Sequence, residues 1–413
     1  MENKKLKVGN VPPLRFPGFE GEWKSKKLGE IATFSKGKGI SKSDIEENGL
    51  TECIRYGELY TYYGEVINDI KSKTNVDTSN LVLSEVNDVI IPASGETTID
   101  IATASCVLKS GIALGGDLNI IKTENNGVFL SYYLNNKKKM EIANLAQGIS
   151  VVHLYSSQLA TLTLNFPKLE EQNRISTFLA LFDARIQTQN KIIEQLETLI
   201  KGLREKLFSQ ETRFREFKDE WKLKRLREIG ETFNGLSGKT KDNFGIGKPY
   251  IQYKQIFDSS KIQIGNCGLV EILETENQNN VQYGDVFFTI SSETPNEIGM
   301  SSVLLDEVSE MYLNSFCFGY RPLSSQILNP LFSSYLFRSS TFRNEIVKLA
   351  QGSTRYNMSK IELMKLTILL PCLEEQIFIA KLLYSIELKI ETEKKILEEY
   401  RSQKQYLLQN LFI

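Results

Sequence analysis

RFPGFEGEWKSKKLGEI (15–31) returns as RFREFKDEWKLKRLREI (213–229), and that recurrence decides how the chain is organised. Arg15, Phe16, Phe19, Glu22, Trp23, Lys24, Lys27, Leu28, Glu30 and Ile31 reappear 198 positions later as Arg213, Phe214, Phe217, Glu220, Trp221, Lys222, Arg225, Leu226, Glu228 and Ile229, with one Lys/Arg exchange. Trp23 and Trp221 are the two tryptophans of the chain, and both are expected to be core residues. Outward from there, NDVIIPASGET (87–97) matches GDVFFTISSET (284–294), LAQG recurs at 145–148 and 349–352, and FPKLEEQ (166–172) matches LPCLEEQ (370–376). The offset drifts from 197 to 204, as insertions in loops would produce. This is a tandem duplication of a unit of about 200 residues, far longer than the repeats of a solenoid.

Each unit reads as two parts. Short apolar runs such as DVIIPA and DVFFTI, separated by Gly, Asn and Ser clusters, are strand-and-turn punctuation. Helical patterns follow at 129–146 and 331–350, so the first part is predicted to be a mixed α/β (α+β) globular domain. Tyr56, Tyr60, Tyr62, Tyr63, Tyr253 and Phe257 are expected to pack within these domains. The second part is a long helix after Pro167 or Pro371, with acidic residues at the positive end of its dipole. Ile175, Leu179, Phe182, Ile186, Gln189, Ile193, Leu196, Ile200, Leu203 and Leu207 hold a heptad spacing. Ile379, Leu383, Ile386, Ile390, Glu393, Leu397, Tyr400, Lys404, Leu407 and Leu411 repeat it, which is a coiled-coil signal. Gln189 and Glu393 share a register and are expected to fix it. Two copies of one seam can pair with each other, and helices of about 36 residues would run about 54 Å, like a spacer bar. The predicted division is a globular domain over 1–166, a helix over 167–209, a second globular domain over 210–369 and a second helix over 370–413.

The 413 residues fit two or three domains. Hydrophobic residues at 41% and charged residues at 24% are ordinary globular values and exclude disorder. No run is long and apolar enough to span a membrane, and MENKKLKVGNVPPLRFPG has no apolar core for a secretory signal. Cys53, Cys106, Cys267, Cys317 and Cys372 are scattered and form no CxxC pair, which points to a reducing, cytoplasmic setting. His153 is the single histidine, which removes most metal chemistry and most imidazole-assisted nucleophilic catalysis. GLSGKT (235–240) lacks the first glycine of a phosphate-binding loop, since Phe233 stands there. Asn329-Pro330 is followed by Leu331, so no adenine-methylation motif forms. Glu170/Glu171 and Glu374/Glu375 fit helix-dipole pairing better than catalysis.

Binding chemistry is present. The net charge of -1 hides a basic stretch over 24–43, with Lys24, Lys26, Lys27, Lys36, Lys38 and Lys42 against Glu30, and a similar one over 222–241. The loops SKGKGISKS (35–43) and NGLSGKTK (234–241) suit phosphate contact, through Lys36, Lys38, Lys42, Lys239 and Lys241. The polar stretch after each LAQG is the second candidate: Ser150 and His153 in the first copy, Ser353, Thr354, Arg355, Tyr356 and Asn357 in the second. Asn and Arg side chains can contact adenine and guanine edges in two places at once, and His153 aligns with Asn357. The third is the polar turn after a strand, Ser94 and Thr97, then Ser292 and Thr294.

Taken together, the RFPGFEGEW opening, the LAQG-plus-polar stretch and the P-x-LEEQ helix, each present twice, resemble the specificity subunit of type I restriction-modification systems. The resemblance covers almost the whole chain. It implies two target-recognition domains, each reading half of an asymmetric, bipartite double-stranded DNA site. It implies conserved helices that pair antiparallel, space the domains and dock two methyltransferase subunits, with restriction (helicase-nuclease) subunits joining. It implies no active site and no cofactor on this chain, with S-adenosylmethionine, ATP and Mg held by partner subunits. Two readings compete: a coiled-coil scaffold that joins protein partners without touching DNA, and the DNA-recognition part of a fused restriction enzyme.

Overall fold

The computed structural model describes residues 9–413. Residues 1–8, which open both the predicted first domain and the stretch lacking an apolar leader, lie outside the described residues. Two compact units emerge: the residues up to Asn190 together with Lys395–Ile413, and Lys191–Lys394. Both long helices are continuous through this division, the central one over Leu169–Phe208 and the C-terminal one over Leu373–Asn410. Each unit therefore holds the start of one long helix and the end of the other.

In the first unit a five-stranded sheet runs Ala32–Lys36, Leu118–Thr123, Asp88–Pro92, Ser105–Val107, Val66–Ile67, antiparallel except at its last pair. In the second, Gly230–Asn234, Cys317–Pro322, Val286–Thr289 and Ser301–Val303 form the equivalent antiparallel sheet. Smaller sheets flank both, and helices at Gly127–Tyr133 and Pro330–Leu336 pack on them. The DVIIP and VFFT runs lack strict alternation because both of their faces are buried.

The repeated opening and the repeated LEEQ are two halves of one joint. Lys24–Lys27 pairs antiparallel with Thr163–Phe166, and Lys222–Arg225 with Thr367–Leu370, so each copy's opening is zipped to the strand that feeds its long helix. The Arg15 guanidinium grips Glu171 through Nε and Nη2, both at 2.7 Å, and the Trp23 indole N–H donates to the same carboxylate at 3.4 Å. Arg213 holds Glu375 in the same two-point way at 3.0 and 2.8 Å. Glu171 and Glu375 lie in the first turns of their helices, as expected of carboxylates at the positive end of a dipole, and each is also only 1% exposed. They are the buried acceptors of the joint. Gln172 and Gln376 complete it: each donates to the carbonyl of the preceding proline and accepts from the backbone N–H of Asn126 or Asn329, the N-caps of the helices Gly127–Tyr133 and Pro330–Leu336. Both tryptophans are buried as expected, Trp23 against Phe129 and Trp221 against Phe208 and Phe332.

Within each unit the helix segments run antiparallel. In the first, Asp183 pairs with Lys404 at 2.5 Å and the Arg185 guanidinium lies over Tyr400, so partner numbers fall as central-helix numbers rise. In the second, Ile200, Leu203 and Leu207 share a core with Ile379, Ala380 and Leu383, and Glu197 pairs with Lys394 at 2.6 Å. Lys404 is a charged residue at one of the heptad positions of the C-terminal helix. Its ammonium lies between Asp183 and Glu65 and over the Tyr132 ring, so that seam position is an ion-paired tie between helices and globular domain. The second unit uses Glu387 similarly, with hydrogen bonds from the Tyr335 hydroxyl (2.7 Å) and Lys261. Gln189 and Glu393 are both buried at 6% exposure, and Glu393 pairs with Lys389 one turn earlier.

One packing expectation fails. Tyr62 is 65% exposed, because the short helix Tyr56–Thr61 ends before it and leaves it as an outward-facing cap. Tyr63 is half-buried, accepts from the Lys71 N–H at 2.9 Å, and burial pushes its phenol up to about 12.

Candidate nucleic-acid interface

The LAQG motif is the base of a projecting hairpin. Gln147 and His153 exchange backbone hydrogen bonds at 2.9 and 2.7 Å, and Gln351 and Asn357 do so at 3.0 and 2.8 Å. Gly148 and Gly352 sit at φ +130° and +129°, where a Cβ would come within 2.0 Å of the Val151 carbonyl or 2.2 Å of the Arg355 carbonyl. Only glycine fits that turn. The two hairpins therefore have one backbone geometry and one length, and they differ in what they display.

Each hairpin is sewn to the end of the central strand of its sheet. Val152–His153 pairs with Ser94–Gly95, and Leu154 donates to the Ala93 carbonyl at 3.0 Å. Tyr356–Asn357 pairs with Ser291–Ser292, and Met358 donates to the Ile290 carbonyl at 2.9 Å. Alternation along this ribbon sends Val152 and Leu154 into the core and Val151, His153 and Tyr155 outward. In the second unit Met358 goes in, while Arg355 and Asn357 stay exposed.

The basic loop joins this outer face in the first unit. The Lys36 ammonium lies 5.9 Å from the centre of the Tyr155 ring, and Tyr155 stacks on His153 with centroids 6.5 Å apart. Lys36, Tyr155 and His153 thus form one continuous cationic and aromatic strip. Lys38 and Lys42 are exposed further along the loop, and Lys42 lines a cavity of about 660 Å³ with Arg55, Gly115 and Gly116. In the second unit Lys360 takes the corresponding position, donating to Asn234 and lying over Phe318.

The remaining candidates separate by exposure. Ser150, Ser353, Thr354 and Lys241 are exposed and Tyr356 is half-buried. Ser94 and Ser292 are buried at 8% and 6%, and the Ser292 hydroxyl donates to the Thr294 carbonyl at 2.5 Å. That bond ties Ser292 into its own turn. Thr97 caps the helix Thr98–Ile101 by accepting from the Asp100 N–H at 3.1 Å, and Thr294 is exposed at the start of its turn. Lys239 departs from its expected place. Its side chain is 4% exposed and its ammonium pairs with Glu276 at 2.5 Å, so it braces its own loop instead of facing outward. That pairing holds the Glu276 carboxyl below the usual carboxylate range.

Some contributors were missed in the sequence. Tyr155 carries no motif, although the inward/outward alternation of ISVVHLY (149–155) was there to be read. Arg343 spans the turn after Thr294, donating to the carbonyls of Gly299 (2.7 Å), Ile298 (2.7 Å) and Asn296 (2.9 Å), and burial brings its guanidinium down to about 10. Nothing in its local sequence marks those partners, which lie 44 to 47 positions away.

A family described as "Type I restriction modification DNA specificity domain" matches the chain twice, over residues 20–198 and 218–400. The chain belongs to that family. This specificity subunit is 24% identical to the Type I restriction enzyme MjaVIII specificity subunit of Methanocaldococcus jannaschii, over 94% of this chain and 91% of that one. It is 23% identical to a putative type I specificity subunit of Mycoplasma pneumoniae, over 68% of each chain. Among solved structures, the S subunit of a type I system from M. genitalium shares the fold with a TM-score of 0.61 at 17% identity, covering 98% of this chain and 99% of that one. The HsdS subunit of Thermoanaerobacter tengcongensis does so at 0.51 and 18% identity, covering 97% and 98%. The chain is a type I restriction-modification specificity subunit with two target-recognition domains, and the scaffold reading is not favoured. Among the described residues no helix is long and apolar enough to cross a membrane.

The exposure pattern sets one prediction. Lys36→Ala, Lys38→Ala and Lys42→Ala should each weaken binding to cognate and random duplexes alike, and each should reduce the slope of log affinity against log salt by about 1. Lys239→Ala should leave that slope unchanged. Salt titrations of duplex binding by fluorescence anisotropy measure both.

Proposed function

We propose that this subunit reads an asymmetric, bipartite double-stranded DNA site, one half with each target-recognition domain, and does no chemistry itself. The observation that carries this reading is the pair of hairpins. Identical backbone geometry presents Ile149, Ser150, Val151 and His153 in one unit and Ser353, Thr354, Arg355 and Asn357 in the other. A duplicated scaffold with divergent tips is what two different half-sites require. Residues 1–166 and 210–369 are the reading domains in this proposal, with phosphate contacts from Lys36, Lys38, Lys42 and Lys241. The helices 167–209 and 370–413 dock two methyltransferase subunits, and restriction subunits join that core. S-adenosylmethionine, ATP and Mg then belong to the partners, and the assembly works on DNA in the cytoplasm.

The test is a methylation map of cells with and without the gene, beside turnover assays on the pure chain. A bipartite methylated motif should vanish with the gene. The pure chain should show no methyl transfer or cleavage and should restore both when mixed with its partners. Turnover by the pure chain, or a map unchanged by deletion, would overturn the proposal.

A further inference from the structure

At the first hairpin tip Ile149 is 101% exposed and Val151 is 52% exposed, next to Gly148 and Ser150. Single exposed apolar residues are ordinary on protein surfaces. Here two β-branched ones occupy a projecting tip, on a backbone that in the second unit carries Ser353 and Arg355 instead. A cation shares this face, since Lys36 stands over Tyr155 on the same outer side as His153 and Val151. An apolar point on the same face as a cation matches a surface that is polyanionic outside and apolar at a few places within. The DNA major groove is such a surface. It admits a two-stranded ribbon, and the group it offers to an aliphatic side chain is the 5-methyl of thymine.

We propose that Ile149 and Val151 are specificity-determining residues of the first target-recognition domain, and that they recognise a thymine by seating against its 5-methyl group. This rests on the reading that the hairpins face DNA, and it goes beyond that reading by naming the group contacted. It also makes the two domains chemically unlike. The first selects through an apolar contact at its tip, and the second through the hydrogen-bonding groups of Arg355 and Asn357.

The test uses the full chain assembled with its methyltransferase partner and duplexes bearing the mapped site, in which each thymine of the first half-site is replaced singly by uracil. Removing one methyl group from a buried contact should weaken binding about fourfold at the contacted position. Uracil in the second half-site should have no such effect. Ile149→Ala or Val151→Ala should bind the thymine and uracil duplexes equally well. If no uracil substitution in the first half-site weakens binding, or if both alanine variants keep the full thymine preference, the proposal is overturned. Ile149→Asp separates this from failure of the underlying reading. Unchanged DNA affinity in that variant would remove the hairpin from DNA altogether. Lost affinity without any uracil effect would keep the hairpin at DNA and sink the methyl contact alone. If Ile149→Asp instead abolished assembly with the methyltransferase, the tip would be a protein contact and the proposal would fail.

Discussion

Arg15→Ala should lower the stability of the first unit by about 3–5 kcal/mol, the usual consequence of leaving one partner of a buried ion pair uncompensated. Glu171 keeps only the long contact from the Trp23 indole once the guanidinium is gone, and its side chain is 2% exposed, so water cannot replace the lost partner. The two tryptophans supply the readout, because one lies in each unit's core. In a Trp221→Phe background, Trp23 fluorescence during urea unfolding reports the first unit, and its midpoint should fall by more than about 1 M at a slope near 2–3 kcal/mol/M. Adding Glu171→Gln should recover much of the loss, since the buried charge is then removed along with its partner. Arg213→Ala should have the corresponding effect on Trp221 fluorescence through Glu375, whose side chain is 1% exposed. A midpoint shift below about 0.2 M for Arg15→Ala would show that the pair is not what joins opening and helix.

That joint marks where sequence reading stops. The duplication, the strand-rich domains and the long helices were legible because they are written as local patterns: paired motifs, short apolar runs and a sustained heptad. The partnership between Arg15 and Glu171 was not, because it closes over 156 positions and each residue alone looks like ordinary surface charge. The same holds for Lys404, which is a lone cation at a heptad position when read along one helix and finds its partners only in Asp183 and Glu65. In the candidate interface, residue type marked out regions but could not sort exposure. Lys36 and Lys239 look alike in their glycine-rich loops. One stands over Tyr155 on the outer face, and the other is folded onto Glu276. Ser94 and Ser292 lie inside the polar stretches as written, yet both residues of each of their two-residue strands are buried.

The hairpins allow the reading to be transplanted. Ile149→Ser, Ser150→Thr, Val151→Arg and His153→Asn together place the second tip's outward side chains on the first hairpin, and leave the inward Val152 and Leu154 untouched. The exchange is in register because Gly148 and Gly352 take the same positive φ and both tips close with the same pair of backbone hydrogen bonds. Folding should be little changed, since the altered side chains face solvent. Recognition should not survive. An arginine or asparagine making a two-point base contact discriminates by about 1–3 kcal/mol, so moving such groups should cut methylation at the original first half-site by roughly 5- to 150-fold. The second half-site should stay as it was, which separates loss of reading from loss of assembly. The reverse exchange, Arg355→Val with Asn357→His, should spare the first half-site and relax the second. Methylation mapping of both variants reads the outcome base by base. A folded exchange variant that still methylates the parental bipartite site at the parental rate would place sequence reading elsewhere in the domain, and the 660 Å³ cavity beside Lys42 and Arg55 would be the next place to look.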